Sequence, residues 1–210
     1  MVNLAAIAQA LEKGDRKTVT ALVQQALNEK VAPAKILNEG LIKGMDSIGQ
    51  KFKNNEVYVP EVLIAARAMA GGMEILEPAL VKAGVKPVAK VVIGTVKQDL
   101  HDIGKNLVAM MLKGGGFQVI DLGVDVDPAK FVATAKEQGA QLIALSALLT
   151  TTMPNMKAVV EQKKAAGLKT KIMIGGAPVT QAYATEIGAD GYAADAASAV
   201  DLARGLIAKG

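Results

Sequence analysis

The chain has no cysteine, no tryptophan and, in 210 residues, a single histidine. Without cysteine there are neither disulfides nor thiolate metal ligands. One imidazole cannot build the nitrogen-rich cage of a zinc site, so nothing points to a zinc hydrolase. Aromatics amount to only 3%, which leaves Val, Ile, Leu, Ala and Met to pack the core. No apolar run approaches the roughly 18 residues that mark a membrane span. The start Met1-Val2-Asn3-Leu4-Ala5 lacks a basic segment followed by a secretory apolar stretch. A cytoplasmic protein with no membrane attachment is expected. The net charge of +4 is modest, and its lysines are spread over helix faces. The clustered, aromatic-interleaved basic footprint of a nucleic-acid interface is missing. What is present, 51% hydrophobic and 21% charged residues, is an ordinary balance for one large folded domain or two small ones.

Two kinds of pattern follow one another. Up to about residue 84, apolar residues recur only at helical spacing. A short helix is expected over 4–11. Asp15 is placed to cap a second, with Val19, Leu22, Val23, Ala26 and Leu27 on one face. Pro33 suits a first turn, and Ile36, Leu37, Leu41, Met45, Ile48 and Phe52 follow at spacings of three and four. Asn54-Asn55 breaks that pattern, and Pro60 opens a fourth helix with Val62, Leu63, Ala66, Met69, Ala70, Met73 and Leu76 inward. A four-helix bundle over 1–84 is therefore expected. Gly84-Val85-Lys86-Pro87 introduces a linker, placed at 85–89. Over 90–210 the spacing predicts five short apolar strands, at 91–94, 118–122, 142–146, 172–174 and 191–193. Helices alternate with them at 104–113, 128–138, 153–166, 179–187 and 196–209, and Gly114-Gly115-Gly116 ends the first. Continuous apolar strands separated by helices predict an α/β domain with a doubly wound, five-stranded parallel sheet, Rossmann-like or flavodoxin-like.

In such a sheet, ligands bind beyond the carboxyl ends of the strands, and three of these ends carry chemistry. The first leads into Gly94-Thr95-Val96-Lys97-Gln98-Asp99-Leu100-His101-Asp102-Ile103-Gly104-Lys105-Asn106. The spacing Asp99-x-His101 lets the carboxylate accept from the ring nitrogen that does not face a metal, which fixes the tautomer and raises ligand basicity. Gly104 has no side chain to keep a large flat ligand from the backbone. The third strand leads into Ser146-Ala147-Leu148-Leu149-Thr150-Thr151-Thr152, and the fourth into Gly175-Gly176-Ala177-Pro178. No Gly-x-Gly-x-x-Gly follows the first strand, so there is no dinucleotide fingerprint. Each feature has a plainer explanation: a surface histidine, hydroxyls capping the next helix, a tight Gly-Gly turn. Methionines 45, 69, 73, 110 and 111 read as core packing, and Asp121, Asp125 and Asp127 as a solvated loop and a helix cap. Convergence of three segments on one edge of the sheet sets the metal-ligand reading above these.

Taken in order, Asp99-x-His101-x-x-Gly104, Ser146-x-Leu148 and Gly175-Gly176 resemble the cobalamin-binding domain of corrinoid methyltransferases. Residues from about 1 to 85 resemble the helical cap that precedes that domain, as in methionine synthase. The closer likeness is to the small corrinoid proteins of multi-component methyltransferase systems. The resemblance implies a bound cobalamin, as methylcobalamin or a related corrinoid, with His101 displacing its nucleotide base and ligating cobalt. It implies cofactor contacts at Asp99, His101, Asp102, Ile103, Gly104, Ser146, Leu148, Thr150, Thr152, Gly175, Gly176 and Tyr58. By resemblance, Ser146 lies beside the buried base and Gly175-Gly176 let the nucleotide tail pass. A hydroxyl six residues beyond the serine, here Thr152, completes a relay with Asp99 and His101; Thr150 is the rival. Tyr58-Val59-Pro60-Glu61 resembles the start of the cap helix, where Tyr58 either shields the upper face of the corrin or packs at the bundle's end.

The implied role is methyl transport on cobalt, from a donor-specific methyltransferase to a second methyltransferase whose acceptor is tetrahydrofolate or a thiol. The chain would be non-catalytic alone and would need a reductive activation protein. The cap would have to swing away about the linker during transfer. Three other readings compete. A cobalamin-dependent sensor would call for a DNA-binding module, for which no basic helix is present. The cobalamin subunit of a radical mutase would leave the helical bundle unexplained, and a metal-free flavodoxin-like module would retain no corrinoid.

Overall fold

The computed structural model describes residues 2–208. The expected helix end at 209, and the outer ends of the expected domains at 1 and 210, lie outside them. The chain divides into two compact units, Met1–Pro87 with Gly114–Gly116, and Val88–Lys113 with Phe117–Gly210.

The first unit is helical. It contains α1 (Leu4–Glu12), α2 (Arg16–Asn28), a rod made of α3 (Pro33–Lys35), a π-helical stretch Ile36–Ile42 and α4 (Lys43–Lys53), and then α5 (Val59–Lys82). Asn3 caps α1 by accepting from the Ala5 N–H, and Asp15 caps α2 by accepting from the Thr18 N–H. The core holds Ile7, Leu11, Val19, Val23, Ile36, Leu41, Met45, Ile48, Val62 and Leu76, all essentially fully buried. Burying a side chain of this size contributes about 1.5–3 kcal/mol. Helix α5 begins at Val59, one residue before Pro60, and the Glu61 carboxylate accepts from the Tyr58 N–H at 3.0 Å. Of its expected inward stripe, Val62, Ala66, Met69 and Leu76 are buried, Leu63 and Met73 are partly buried, and Ala70 is not. Ala65, Ala68, Met69, Gly72 and Leu76 keep the three-four spacing and are buried, whereas Ala70 falls off that stripe and is exposed.

The second unit is a five-stranded parallel sheet in the order β2-β1-β3-β4-β5. The strands are β1 (Lys90–Thr95), β2 (Gln118–Asp121), β3 (Leu142–Ser146), β4 (Lys171–Gly175) and β5 (Gly191–Tyr192), joined by α6 (Ile103–Gly114), α7 (Pro128–Gln138), α8 (Pro154–Ala165) and α9 (Gln181–Ile187), with α10 (Ala196–Ala208) last. Val92, Ile143, Leu145, Ile172 and Ile174 of the strands share one buried cluster with Phe131 and Val132 of α7, Met156, Val159 and Val160 of α8, and Ile187 of α9. Their neighbours along the strands, among them Val91, Ile93, Ala144 and Met173, are buried as well. That explains why the strands read as unbroken apolar runs. After β2 the chain returns across β1 to form β3, so the sheet reverses its winding between β1 and β3. A crevice opens beyond the strand ends at such a switch point.

Candidate functional site

Residues 96–102 carry the chain from β1 over this switch point to α6, and the loop is fastened to both of its neighbours. The Val96 N–H donates to Ser146 O at 3.0 Å, Lys97 Nζ donates to Asp127 Oδ2 at 2.7 Å, and Asn155 Nδ2 donates to Lys97 O at 2.9 Å. Gln98 and Asp125 both adopt left-handed backbone, with φ of 65° and 52°. Such residues cost about 1–2 kcal/mol each when they are not glycine. They hold one another in place: the Gln98 N–H donates to Asp125 Oδ1 at 2.7 Å, and the Asp125 N–H donates to Asp99 O at 3.0 Å. Strain of this kind persists only where the surroundings over-determine it, and it gathers at functional sites.

Asp99 sits at the centre and is fully buried. Its Oδ1 accepts from the His101 N–H at 3.1 Å and lies 2.7 Å from His101 Nδ1. Its Oδ2 accepts from the N–H groups of Leu148 at 2.8 Å and Leu149 at 3.3 Å, and from the Thr152 hydroxyl at 2.7 Å. Burial alone would push the carboxyl up. The bonds from Thr152, Leu148 and the His101 ring and N–H outweigh it and hold Asp99 well below the usual carboxylate range. An ionised Asp99 has no proton to give, so the proton between the two side chains resides on Nδ1. The neutral imidazole then has its lone pair on Nε2. The His101 side chain is 51% exposed, and among the described residues nothing hydrogen-bonds Nε2.

The hydroxyl in this network belongs to Thr152, which is buried; Thr150 is exposed and makes no such bond. The Thr152 hydroxyl also lies 2.9 Å from Leu149 O, but its single proton serves the carboxylate, the stronger acceptor. Nor do the threonines cap the helix that follows, since α8 has no side-chain cap. Ser146 closes β3, in register with Thr95 on one side and Gly175 on the other. Gly176 has φ of +129°, and a Cβ there would meet Ala147 O at 1.9 Å, so no other residue fits. At Gly104, by contrast, a Cβ would meet nothing within 4 Å. Asp102 is exposed, and its Oδ2 accepts from Asn106 Nδ2 at 3.0 Å. Around His101, four large apolar side chains face outward: Leu100 (71% exposed), Ile103 (82%), Leu148 and Leu149. Tyr58 belongs to the first unit, where it is exposed rather than packed into the bundle core.

One reading from the sequence needs correction. Asp121 does not sit in a loop: it ends β2, with its side chain 34% exposed, and accepts from Lys105 Nζ at 2.5 Å. Asp125 is an exposed loop residue, as expected, and its carboxylate also accepts from the Gln98 N–H; Asp127 caps α7, accepting from the Ala129 N–H. Lys105 was missed altogether, although a signal existed. It shares the 105–109–112 stripe of α6 with buried Ala109 and Leu112, an unusual place for a lysine.

Among the described residues, no group of three or more His, Cys, Asp or Glu side chains could hold a metal ion. A metal at His101 must therefore bring its other ligands with it. A flat macrocycle does so, and the apolar rim and the open space at Gly104 suit one. Comparison with known proteins agrees. A family model described as a B12 binding domain matches residues 89–201, and another with the same description matches 4–77. A corrinoid protein of Desulfitobacterium hafniense is 42% identical over 206 residues, spanning 96% of this chain and 95% of that one. Trimethylamine corrinoid protein 1 of Methanosarcina acetivorans is 42% identical over 202 residues, spanning 94% of each. Among solved structures, the methanol:cobalamin methyltransferase complex of Methanosarcina barkeri matches with a TM-score of 0.87 at 29% identity, over 99% of this chain and 80% of that one. With both its helical and its α/β segments matched, this chain belongs to the B12-binding family of corrinoid proteins.

Proposed function

We propose that this protein is a methyl carrier, holding a cobalamin or related corrinoid at the carboxyl edge of its sheet between two partner methyltransferases. The observation that carries the reading is the half-exposed His101 ring, tied through Nδ1 to the buried, ionised Asp99 and free at Nε2. When bound, the corrinoid's cobalt would supply the chemistry of accepting and giving up the methyl group. His101 Nε2 would be the protein's ligand to the cobalt. Asp99 keeps the proton on Nδ1 and orients the ring, and Thr152 fixes Asp99 in turn. Leu100, Ile103, Leu148 and Leu149 would lie against the macrocycle and exclude water from the metal, while Gly104 leaves it room. Ser146 and the Gly175-Gly176 edge would take the nucleotide base and its tail. Tyr58 is the first unit's candidate contribution, on the likeness of residues 58–61 to a cap-helix start.

The chain contributes ligation and shielding, and partners contribute activation of the donor and of the acceptor. Relatives at about equal identity are named for trimethylamine and dimethylamine, and the structural neighbour for methanol. That spread favours a donor selected by the partner enzyme. A second methyltransferase would deliver to tetrahydrofolate or a thiol, and a reductive activation protein would restore cobalt lost to oxidation.

The test is an electron paramagnetic resonance spectrum of the protein loaded with cobalamin and reduced to cobalt(II), with nitrogen-15 in histidine only. Because His101 is the sole histidine, the nitrogen splitting on cobalt should change from a triplet to a doublet with the label. A splitting indifferent to the label would remove His101 as the ligand. Failure of the folded protein to retain any corrinoid would overturn the methyl-carrier reading itself.

A further inference from the structure

We infer that Lys105 and Asp121 form a positioning pair that fixes the backbone on both sides of His101 and so sets where Nε2 is presented. The consequence for ligation rests on the corrinoid reading above; the geometry does not. Lys105 lies in the first turn of α6, and its side chain is only 3% exposed. Its Nζ donates to Asp121 Oδ2 at 2.5 Å and to Asn106 Oδ1 at 2.7 Å. Asn106 ties back to Asp102, the residue after the histidine: Nδ2 donates to Asp102 Oδ2 at 3.0 Å and the N–H donates to Asp102 O at 2.7 Å. Lysine is among the residues least often buried, and taking its ammonium out of water has a desolvation cost that an apolar side chain of the same shape does not have. Packing alone would therefore be served by a methionine at 105. What the charge adds is direction.

The direction is set by Asp121, whose two oxygens hold the two flanks of the loop. Oδ2 takes Lys105, which follows His101 in the chain. Oδ1 accepts from the Gly123 N–H at 2.9 Å, Gly123 O accepts from the Thr95 N–H at 2.9 Å, and the buried Thr95 hydroxyl donates to His101 O at 2.8 Å. The circuit thus closes around His101. Asp99 governs the orientation of the ring, while this circuit governs the place of the backbone that carries it. A binding constellation must be held to within about 0.5 Å, so both must be fixed. Lys105 touches neither the ring nor the ligand position and acts through the loop alone.

The decisive variants are Lys105→Met, which keeps length without charge, and Asp121→Asn, which keeps shape at a partly exposed site. With nitrogen-15 histidine, the ring spectrum of the apoprotein reports His101 alone. Both variants are expected to stay folded by circular dichroism yet shift or double the ring signals. Loaded with cobalamin, they should show a reduced fraction of histidine-ligated cobalt and about 10-fold weaker binding. Ring signals that superpose on those of the wild type, in a folded variant, would overturn the inference. If only one variant folds, it alone is read by this criterion, and loss of fold in both would assign the pair to stability and overturn it too. A wild-type protein that retains no corrinoid would sink the proposed function but leave the ring comparison standing.

Discussion

His101 Nδ1 and Asp99 Oδ1 lie 2.7 Å apart, yet one side chain is half-exposed and the other is sealed from solvent. The pair is therefore asymmetric by construction. The carboxylate is satisfied inside the protein by Leu148, Leu149 and Thr152, and only the imidazole offers anything outward. A ligand arriving from solvent meets Nε2 with its lone pair available and the ring already held.

This asymmetry makes Asp99→Asn informative. The N–H groups of Leu148 and Leu149 on one side and of His101 on the other can only donate, and the carboxamide oxygen is expected on the side that has two of them, giving up the His101 N–H bond. Its NH2 then points at His101 Nδ1 and forces that atom to accept, which moves the ring proton to Nε2. The expected outcome is a reversed tautomer, read from the nitrogen-15 shifts of the two ring nitrogens in the apoprotein, together with about 10- to 100-fold weaker corrinoid binding. An unchanged tautomer would show that something other than Asp99 sets it.

The same carboxylate links stability to pH. Its folded value is held below the roughly 3.9 of an unfolded aspartate. Its contribution is thus fully present above the unfolded value and is lost as pH falls through the folded one. Urea midpoints measured from pH 7 downward should fall for the wild type, and the gap to Asp99→Asn should narrow below about pH 4. At neutral pH the variant is expected to be less stable by about 1.5–3 kcal/mol, the range for a hydrogen bond to a charged group. A constant gap across the acid range would contradict the linkage.

Thr152 and Thr150 separate cleanly. Thr152→Ala deletes the hydroxyl that reaches Asp99 at 2.7 Å and should destabilise the protein by about 1.5–3 kcal/mol, while Thr152→Ser retains the bond. Thr150→Ala alters only an exposed side chain and should stay within about 0.5 kcal/mol of the wild type. Thermal or urea unfolding of the three variants decides. Equal effects at 150 and 152 would contradict the observed network.

Much of this was legible in the sequence because it is periodic or local. Asp15 ahead of an apolar stripe is a capping signal, and it caps α2. Alternating apolar runs and helices predicted the parallel sheet, and strand-end loops placed His101, Ser146 and Gly175 along one edge. What stayed hidden depends on contacts made only through topology. The partner of Lys105 stands on another element, and nothing near Asp121 in sequence announces it. The π-helical Ile36–Ile42 keeps the same apolar spacing that an α-helix would, so periodicity could not reveal it. The exposure of Ala70 turned on choosing between overlapping helical stripes in an alanine-rich segment. The left-handed Gln98 gave no warning, because that conformation is ordinarily signalled by Gly, Asn or Asp.

Two glycines of the site should respond in opposite ways to the same substitution. Gly176→Ala sets a Cβ against Ala147 O, a backbone atom of a buried residue, and places alanine at a φ it rarely adopts. Neither strain can relax by turning a side chain, so a loss of more than about 2 kcal/mol is expected, within the range of severe backbone strain. Gly104→Ala meets nothing within 4 Å, and it replaces glycine with the best helix former in the first turn of α6. The apoprotein should therefore be unchanged or more stable, by up to about 1 kcal/mol. If the open space beside Gly104 is where the macrocycle lies, the added methyl must weaken corrinoid binding while the apoprotein gains stability. Apoprotein unfolding and cobalamin titration, measured side by side, separate the two effects. A Gly104→Ala protein that binds cobalamin as tightly as the wild type would place the ligand elsewhere along the sheet edge.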